Sequence, residues 1–294
     1  MFAQLADIGK RLKEFRIENR LSPEQIADSL GVSRAAVYRI ENGVIAKVET
    51  LNRLAGLFGV SLPSLLGAGV ECFSDPVAYF ERIRQVEKEC DQLVACFSPF
   101  SFFLTRDDYA LQLKDILMDV VPPYKAIADA ERELDVILHA VEERRRQVSA
   151  RRISIISFVN MPELERWLKM GTVGRSELSP ENVRQRRRLA REQVEYLLGV
   201  VSSEPMGMQV ALLDDTLPDM GFQLLRMAGR TLVNITPYRA MGETINLQVG
   251  VSMITADADV VAHYERVVEN LWIHSCKGSQ AVERLRLVLD MAGV

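Results

Sequence analysis

The spacing of apolar residues in the first quarter of the chain predicts a group of short helices. Apolar residues between Leu5 and Phe15 recur every three or four positions, which gives a helix one apolar face. Similar stripes follow, separated by residues that typically start or end helices. Residues 1–67 therefore predict a small all-helical domain of five helices with its own core.

Capping residues mark the second and third of these helices. Ser22 precedes Pro23, which suits the first helical position, and Gln25 stands where a capping box requires it. Gly31 ends this helix after about two turns, and Ser33 caps the next one almost at once. Two short helices joined by a tight turn that contains glycine are typical of a helix-turn-helix.

The third helix, predicted over residues 33–41, has two different faces. At ~100° per residue, Ala36, Val37 and Ile40 fall on one small aliphatic arc. The opposite arc carries residues able to reach base edges or phosphates in a major groove, namely Arg34, Ala35, Tyr38 and Arg39. The alternative interpretation is that these arginines are solvated and that the tyrosine packs or contacts phosphate.

The helical segment resembles the XRE-type helix-turn-helix, the Cro and lambda-repressor class. Residues 30–33, 40–43 and 58–66 carry the resemblance. It implies that the third helix reads DNA bases and that its flanks contact phosphates. The candidate DNA-binding residues are Ser22, Ser33, Arg34, Ala35, Tyr38, Arg39, Asn42 and Lys47. The resemblance also implies a buried structural ion pair between Arg16 and Glu41.

One residue departs from this pattern. The class often has glutamine where Pro23 stands, and proline has no amide side chain to donate to a phosphate. We expect Ser22 to replace that contact.

Charge and composition limit the partners. The chain has 294 residues, of which 48% are hydrophobic, enough to bury two domains. Its net charge is −4, but the first 67 residues hold nine Lys or Arg and seven Asp or Glu, leaving −6 for the rest. DNA attraction must therefore come from a local patch. The spacing of the four cysteines does not suggest disulfide pairs, which favours a cytoplasmic protein. The sequence has no long apolar run and begins with a predicted helix, so we expect no membrane contact.

The middle region, residues 68–151, reads as a helical linker or dimerisation region after the glycine-rich residues 67–69. We expect one long helix from Pro76 to about residue 97 and a second over residues 107–120, before the prolines at 122–123. A third helix over residues 125–151 carries a heptad seam, formed by Ile127, Ala130, Leu134, Ile137 and Val141. That seam either joins two subunits or packs on the preceding helices.

The last region, residues 152–294, predicts a mixed α/β domain with roughly five strands. Residues 228–230 read as the turn of a hairpin, and residues 245–253 as a strand. The order of segments 98–110, 145–147 and 193–198 is similar to the C-terminal domain of many actinomycete XRE regulators. The Pro-Gly-Leu-Leu-Gln-Thr box expected there is not kept. The resemblance implies sensing of a ligand or partner but names no ligand.

Other candidate chemistry is sparse. His263, His274 and Cys276 lack further ligands at metal-binding spacing, so we expect no metal, no cofactor and no enzymatic activity. The arginine-rich residues 144–152 and 184–191 either bind DNA or an anionic effector, or form solvated helix faces.

The sequence thus predicts a multidomain, homodimeric transcription regulator. Its helix-turn-helix domain would read an inverted repeat in double-stranded DNA, and its α/β domain would sense a small molecule or protein. The alternatives are an antitoxin whose main partner is a protein, and a self-cleaving repressor suggested by Ala228-Gly229.

Overall fold

A computed structural model of the chain describes residues 5–44, 47–60, 62–66, 70–119, 121, 125–151, 153–173, 178–214 and 220–292. The predicted linker at residues 67–69 and the prolines at 122–123 lie outside these ranges.

The N-terminal helical unit consists of α1 (Leu5–Glu18), α2 (Pro23–Leu30), α3 (Arg34–Glu41), α4 (Val48–Leu57) and α5 (Leu62–Leu65). The predicted capping box is present: the Ser22 hydroxyl accepts from the Gln25 amide, and the Gln25 side chain accepts from the Ser22 amide. Gly31 adopts a left-handed conformation at φ 67°, which ends α2. The five helices enclose a core of their own, which includes Leu12, Phe15, Ile26 and Leu54.

The rest of the described chain is organised around one mixed seven-stranded sheet. Its strands are β1 (Val70–Phe73), β2 (Gln92–Cys96), β3 (Ser154–Asn160), β4 (Met208–Leu213), β5 (Gly221–Met227), β6 (Arg230–Thr236) and β7 (Ser252–Thr255). Their order across the sheet is β1-β7-β6-β5-β2-β3-β4. The neighbours β2, β3 and β4 are parallel, and the other pairs are antiparallel. Ala228 and Gly229 form the exposed turn of the predicted β5–β6 hairpin.

Helices cover both faces of this sheet. They are α6 (Pro76–Lys88), α7 (Tyr109–Asp119), α8 (Ile127–Arg151), α9 (Met161–Met170), α10 (Pro180–Ser203), α11 (Ala258–His274) and α12 (Gly278–Met291). Leu93 and Ala95 of β2 belong to the core under α6 to α10 and α12, whereas Val94 and Cys96 belong to the smaller core under α11. Because successive strand residues point to opposite faces, a strand buried on both sides is a continuous apolar run.

The predicted helix from Pro76 to residue 97 is wrong in its second half. The helix ends at Lys88, and Gln92–Cys96 is a strand in the middle of the sheet. A short apolar run fits both structures, and here burial on both faces favours the strand. Two strands thus precede residue 152, and the predicted boundary after residue 151 divides one sheet. The predicted strand at residues 245–253 is also misplaced, because β7 covers only Ser252–Thr255.

The heptad seam of α8 packs inside its own chain. Leu134, Ile137 and Val141 are buried in the core that α8 shares with α6 and α7. Ala130 is also buried, while Ile127 at the helix start is 71% exposed. From Ala130 to Val141 the seam therefore packs on helices of its own chain, as the second of the two alternatives states, and these side chains are not available to a second subunit.

A buried cluster of charges joins the helical unit to the sheet domain. Arg82 of α6 donates to both carboxylate oxygens of Glu71 in β1, at 2.8 and 3.1 Å. The same guanidinium reaches Glu18 of α1 at 3.2 Å and lies 5.6 Å from the ring centroid of Phe15. Arg11 of α1 pairs with Glu71 from the other side. The contact is thus made by side chains from α1, β1 and α6.

Burial within this cluster has opposite effects on two carboxyl groups. For Glu71, burial alone would raise the pKa, but the charge and hydrogen bonds of Arg82, with Arg11 behind it, hold the pKa below the usual 4.5. For Glu18, burial raises the pKa to about 7 against the attraction of Arg82, and repulsion from Glu71 adds to the rise.

Among the described helices, none combines the length and the apolar character that a membrane span requires.

The position of β2 can be tested by substitution. Leu93 is fully buried, so Leu93→Ala is expected to lower the free energy of unfolding by ~2–5 kcal/mol. Leu111→Ala, at a position that is 81% exposed on α7, provides the matched control and should change it by less than about 0.5 kcal/mol. Chemical denaturation followed by tryptophan fluorescence suits this test, because Trp167 and Trp272 both lie in the sheet domain. Equal effects of the two substitutions would contradict a buried β2.

The raised pKa of Glu18 predicts a pH-dependent stability. Its folded pKa exceeds that of the unfolded chain, so the stability this group contributes is present at acidic pH and is lost as the pH rises through about 7. When the pH is raised from 5 to 8, the free energy of unfolding of Glu18→Gln should therefore increase by roughly 1–3 kcal/mol relative to that of the wild type. Denaturation followed by circular dichroism at both pH values measures this gain, and Glu49→Gln on the exposed side of α4 is the control. A gain of the same size in both variants would refute the assignment to burial.

Candidate nucleic-acid interface

The exposed face of α3 is the one predicted from the sequence. Arg34, Ala35, Tyr38 and Arg39 are exposed, whereas Val37 is buried in the core of the helical unit. Ala36 and Ile40 are half-buried beside it. The helix thus presents two arginines, a tyrosine and a methyl group to the outside, a set able to contact base edges and phosphates.

Arg34 is held in position by two neighbours. Its guanidinium donates to the Tyr38 hydroxyl at 3.1 Å and lies 5.4 Å from the centroid of that ring. It also reaches Glu24 of α2 at 2.8 Å. The hydrogen bond to Tyr38 raises the pKa of Arg34. The pKa of the Glu24 carboxyl is lowered, mainly by its hydrogen bond to the Glu24 backbone amide and further by the Ser22 hydroxyl and the charge of Arg34. Arg34 therefore stays charged, and a DNA ligand would have to replace the Glu24 contact.

Arg39 differs from Arg34 in its partners. Its exposed side chain forms no ion pair or hydrogen bond with the part of the chain that the structure describes. Lys47 is exposed just before α4. An exposed arginine that gives up no partner can approach a base or phosphate without the cost of breaking an ion pair.

The polar residues predicted to contact phosphate lie at helix ends. Ser22 and Ser33 are the N-caps of α2 and α3, and each hydroxyl oxygen accepts from an amide three residues later, at 3.2 Å. The Ser33 hydroxyl keeps its proton for a further acceptor, at the helix end that favours anions, whereas the Ser22 hydroxyl also bonds to Glu24. Asn42 caps the other end of α3 and is exposed.

The arrangement of these helices depends on residues behind the exposed face. The ion pair expected between Arg16 and Glu41 is present, with the Arg16 Nε atom 2.6 Å from a Glu41 oxygen. Arg16 also donates to the Leu21 carbonyl at 3.2 Å, which ties α1 to the turn before α2. At Gly9, a Cβ atom would lie 2.5 Å from the Glu41 carbonyl oxygen, so only glycine allows α1 to approach the end of α3 this closely.

Two contributors to this site were not predicted. Glu24 pairs with Arg34, and Arg53 of α4 donates to the carbonyls of Ser29 and Leu30, at 2.7 and 2.9 Å, at the end of α2. Both contacts join residues from different helices, and helical periodicity gives no signal for them.

The arginine-rich segments of the sheet domain contain both buried and exposed arginines. Arg144 is buried and forms a bidentate pair with Glu87, at 2.7 and 2.8 Å. Arg186 is buried and donates to the Thr172 carbonyl and to Asp119. Arg188 remains exposed on α10. Arg184 and Arg187 are exposed on the same helix, so these stretches supply both internal pairs and exposed positive charge.

Within the described ranges, no group of three or more His, Cys, Asp or Glu side chains is placed to hold a metal ion.

Comparison with known proteins supports the assignment of the helical unit. Residues 12–65 match the model of a family described as helix-turn-helix (HTH_3), which covers the second half of α1 and all of α2 to α5. No curated protein and no solved structure matches the chain. The family match covers less than a fifth of the chain, and it supports a DNA-binding helix-turn-helix of the XRE type within a transcription regulator.

Proposed function

We propose that this protein is a sequence-specific, DNA-binding transcription regulator in which α3 reads the major groove. The observation that carries the proposal is the exposed pair Arg34 and Arg39 on a helix whose other face is buried in the core. Arginine is the side chain that most often reads guanine, by a bidentate contact. Ser22, Ser33 and Asn42 would position α3 through phosphate contacts, as would Lys47.

The proposed regulator acts as a homodimer on an inverted repeat. A single helix-turn-helix covers one half-site, and two half-sites lie ~34 Å apart on one side of the duplex. Since the α8 seam is buried within its own chain, the subunit contact belongs to another surface. The sheet domain, in this proposal, holds the two copies together or senses an effector. The protein would act in the cytoplasm, without a cofactor and without enzymatic activity.

Loss of either arginine should weaken specific DNA binding. Selection from random duplexes at ~150 mM salt, which suppresses purely electrostatic binding, provides the operator sequence. The binding free energy for that duplex should weaken by ~1–3 kcal/mol in Arg39→Ala and in Arg34→Ala, because each loses a contact to a base. This corresponds to an affinity about 5- to 150-fold lower. Arg39→Ala is expected to lose more, because Arg34 already has Glu24 as a partner.

Arg286→Ala is the matched control for this test, since it removes an exposed arginine from α12, outside the arginine-rich stretches of the sheet domain. Folding of each variant is checked by circular dichroism. The proposal fails if both α3 variants fold and bind the selected duplex as tightly as the control.

The oligomeric state gives a separate prediction. Light scattering at micromolar concentration, with the selected duplex present, should give a protein mass twice the 33.1 kDa of one chain. The selected sequences should show two inverted half-sites about one helical turn apart. A monomer both with and without DNA would exclude the homodimer.

A further inference from the structure

A narrow aromatic cavity lies in the sheet domain, beside the carboxyl end of β2. The space between its walls, together with the solvent at its open mouth, is about 540 Å³. Phe97 and Ser98, which follow β2, form one side, and Tyr238, which follows β6, forms another. The remaining wall comes largely from the aromatic residues Tyr79, Phe80, Phe100, Phe102 and Phe103. In α/β proteins, ligands typically bind outside the carboxyl ends of the parallel strands.

The walls of this cavity favour a flat apolar ligand. Most of the surface that lines it is apolar. Tyr79, Phe80 and Tyr238 pack on one another with ring centroids 5.0–5.5 Å apart, so their orientations are fixed by mutual contact. A planar ring can stack on such walls, whereas a bulky aliphatic group does not fit so narrow a space.

One polar group in the wall has no partner. The Ser98 hydroxyl is buried and makes no hydrogen bond to the residues that the structure describes. A buried hydroxyl without a partner costs free energy, and a ligand carbonyl or hydroxyl would remove that cost. The cavity therefore suits an aromatic molecule with one hydrogen-bonding group.

The charges around the cavity disfavour an ionic ligand. Arg144 lines it, but both carboxylate oxygens of Glu87 already accept from its guanidinium. Gln223 donates to the same carboxylate at 3.3 Å. Arg239, at the wall, lies 3.9 Å from Glu163. Each cation thus has a carboxylate beside it, and a ligand anion would have to displace that partner.

Helix α6 connects this cavity with the helical unit. Tyr79 and Phe80 form part of the wall, and Arg82, two residues later, contacts Glu18 and the ring of Phe15 in α1. A ligand that shifts the start of α6 would change the contact that holds α1.

We infer that the aromatic cavity binds a small, uncharged, planar aromatic molecule with one hydrogen-bonding group, and that its occupancy is transmitted to α1 through α6. The inference gives the proposed sensing role a site and a ligand class, and rests on the proposed function only for the effect on DNA.

Fluorescence titration of the full chain with prodan, an uncharged naphthalene ketone, tests the binding step without DNA. We expect saturable binding of one molecule per chain with a blue-shifted emission. Ala240→Phe, which adds a ring at the cavity wall, should weaken binding at least about tenfold, and Ser98→Ala about two- to tenfold. Ala258→Phe, at the exposed start of α11, is the matched control and should bind as the wild type does.

Several outcomes would overturn the inference. The first is prodan binding that does not saturate. The second is an unchanged affinity for prodan in both single variants, Ala240→Phe and Ser98→Ala, when each is folded. The third is tighter binding of the anionic probe anilinonaphthalene sulfonate than of prodan. Hydrogen exchange tests the connection: saturating prodan should change the exchange of α1 amides, and unchanged exchange there would refute transmission through α6. Because neither measurement uses DNA, failure of the cavity is distinguishable from failure of the proposed DNA binding.

Discussion

The buried pairing of Arg82 with Glu71 is the interaction on which the relation between the two parts of the chain depends. Both side chains are almost fully buried, and both come from the sheet domain, yet the residues that complete the cluster belong to α1. Removing one member of such a cluster leaves a buried charge without compensation, which is far more costly than losing an exposed pair. The cluster therefore acts as a structural joint between α1 and the sheet domain. Because Arg16 and Glu41 hold α1 to α3, the joint also fixes the orientation of α3 relative to the sheet domain.

The same joint restricts where a basic surface can form. Arg11 and Arg16 of α1 are paired with glutamates, and Lys10 lies 2.9 Å from Glu89 of the sheet domain. Arg53 is used to hold the end of α2. Arg39 and Lys47 remain exposed, so α3 and its flanks can offer positive charge to a polyanion on a chain whose net charge is −4. A small patch on an acidic protein favours contact through one helix over broad electrostatic adhesion.

How far the sequence predicted the fold differs between the two parts. Local signals determine the helical unit: Ser22 and Gln25 make the capping box, Gly31 ends α2, and the outer arc of α3 is exposed as its periodicity requires. The sheet domain depends on distant partners. Gln92–Cys96 becomes a central strand because β3 and β5 flank it, from segments about 60 and 130 residues away in sequence. The pairing of Arg34 with Glu24 and the closure of the cavity around Ser98 also require contacts between elements that no single segment encodes.

The placement of α6 explains why one short helix can take part in three tasks. The N-terminal part of α6, after the Asp75 cap, brings Tyr79 and Phe80 to the cavity. Arg82 in the middle of the helix contacts α1. Glu87 near its end pairs with Arg144. Tyr79 also accepts a hydrogen bond from Asn234 of β6, whose amide donates in addition to Gln223 of β5. Arg82 lies less than one helical turn from Tyr79 and Phe80, so a displacement of this part of α6 would also move Arg82. In a structure where α1 is fixed to α3, that geometry makes α6 a direct connection between the aromatic cavity and the helix that positions α3.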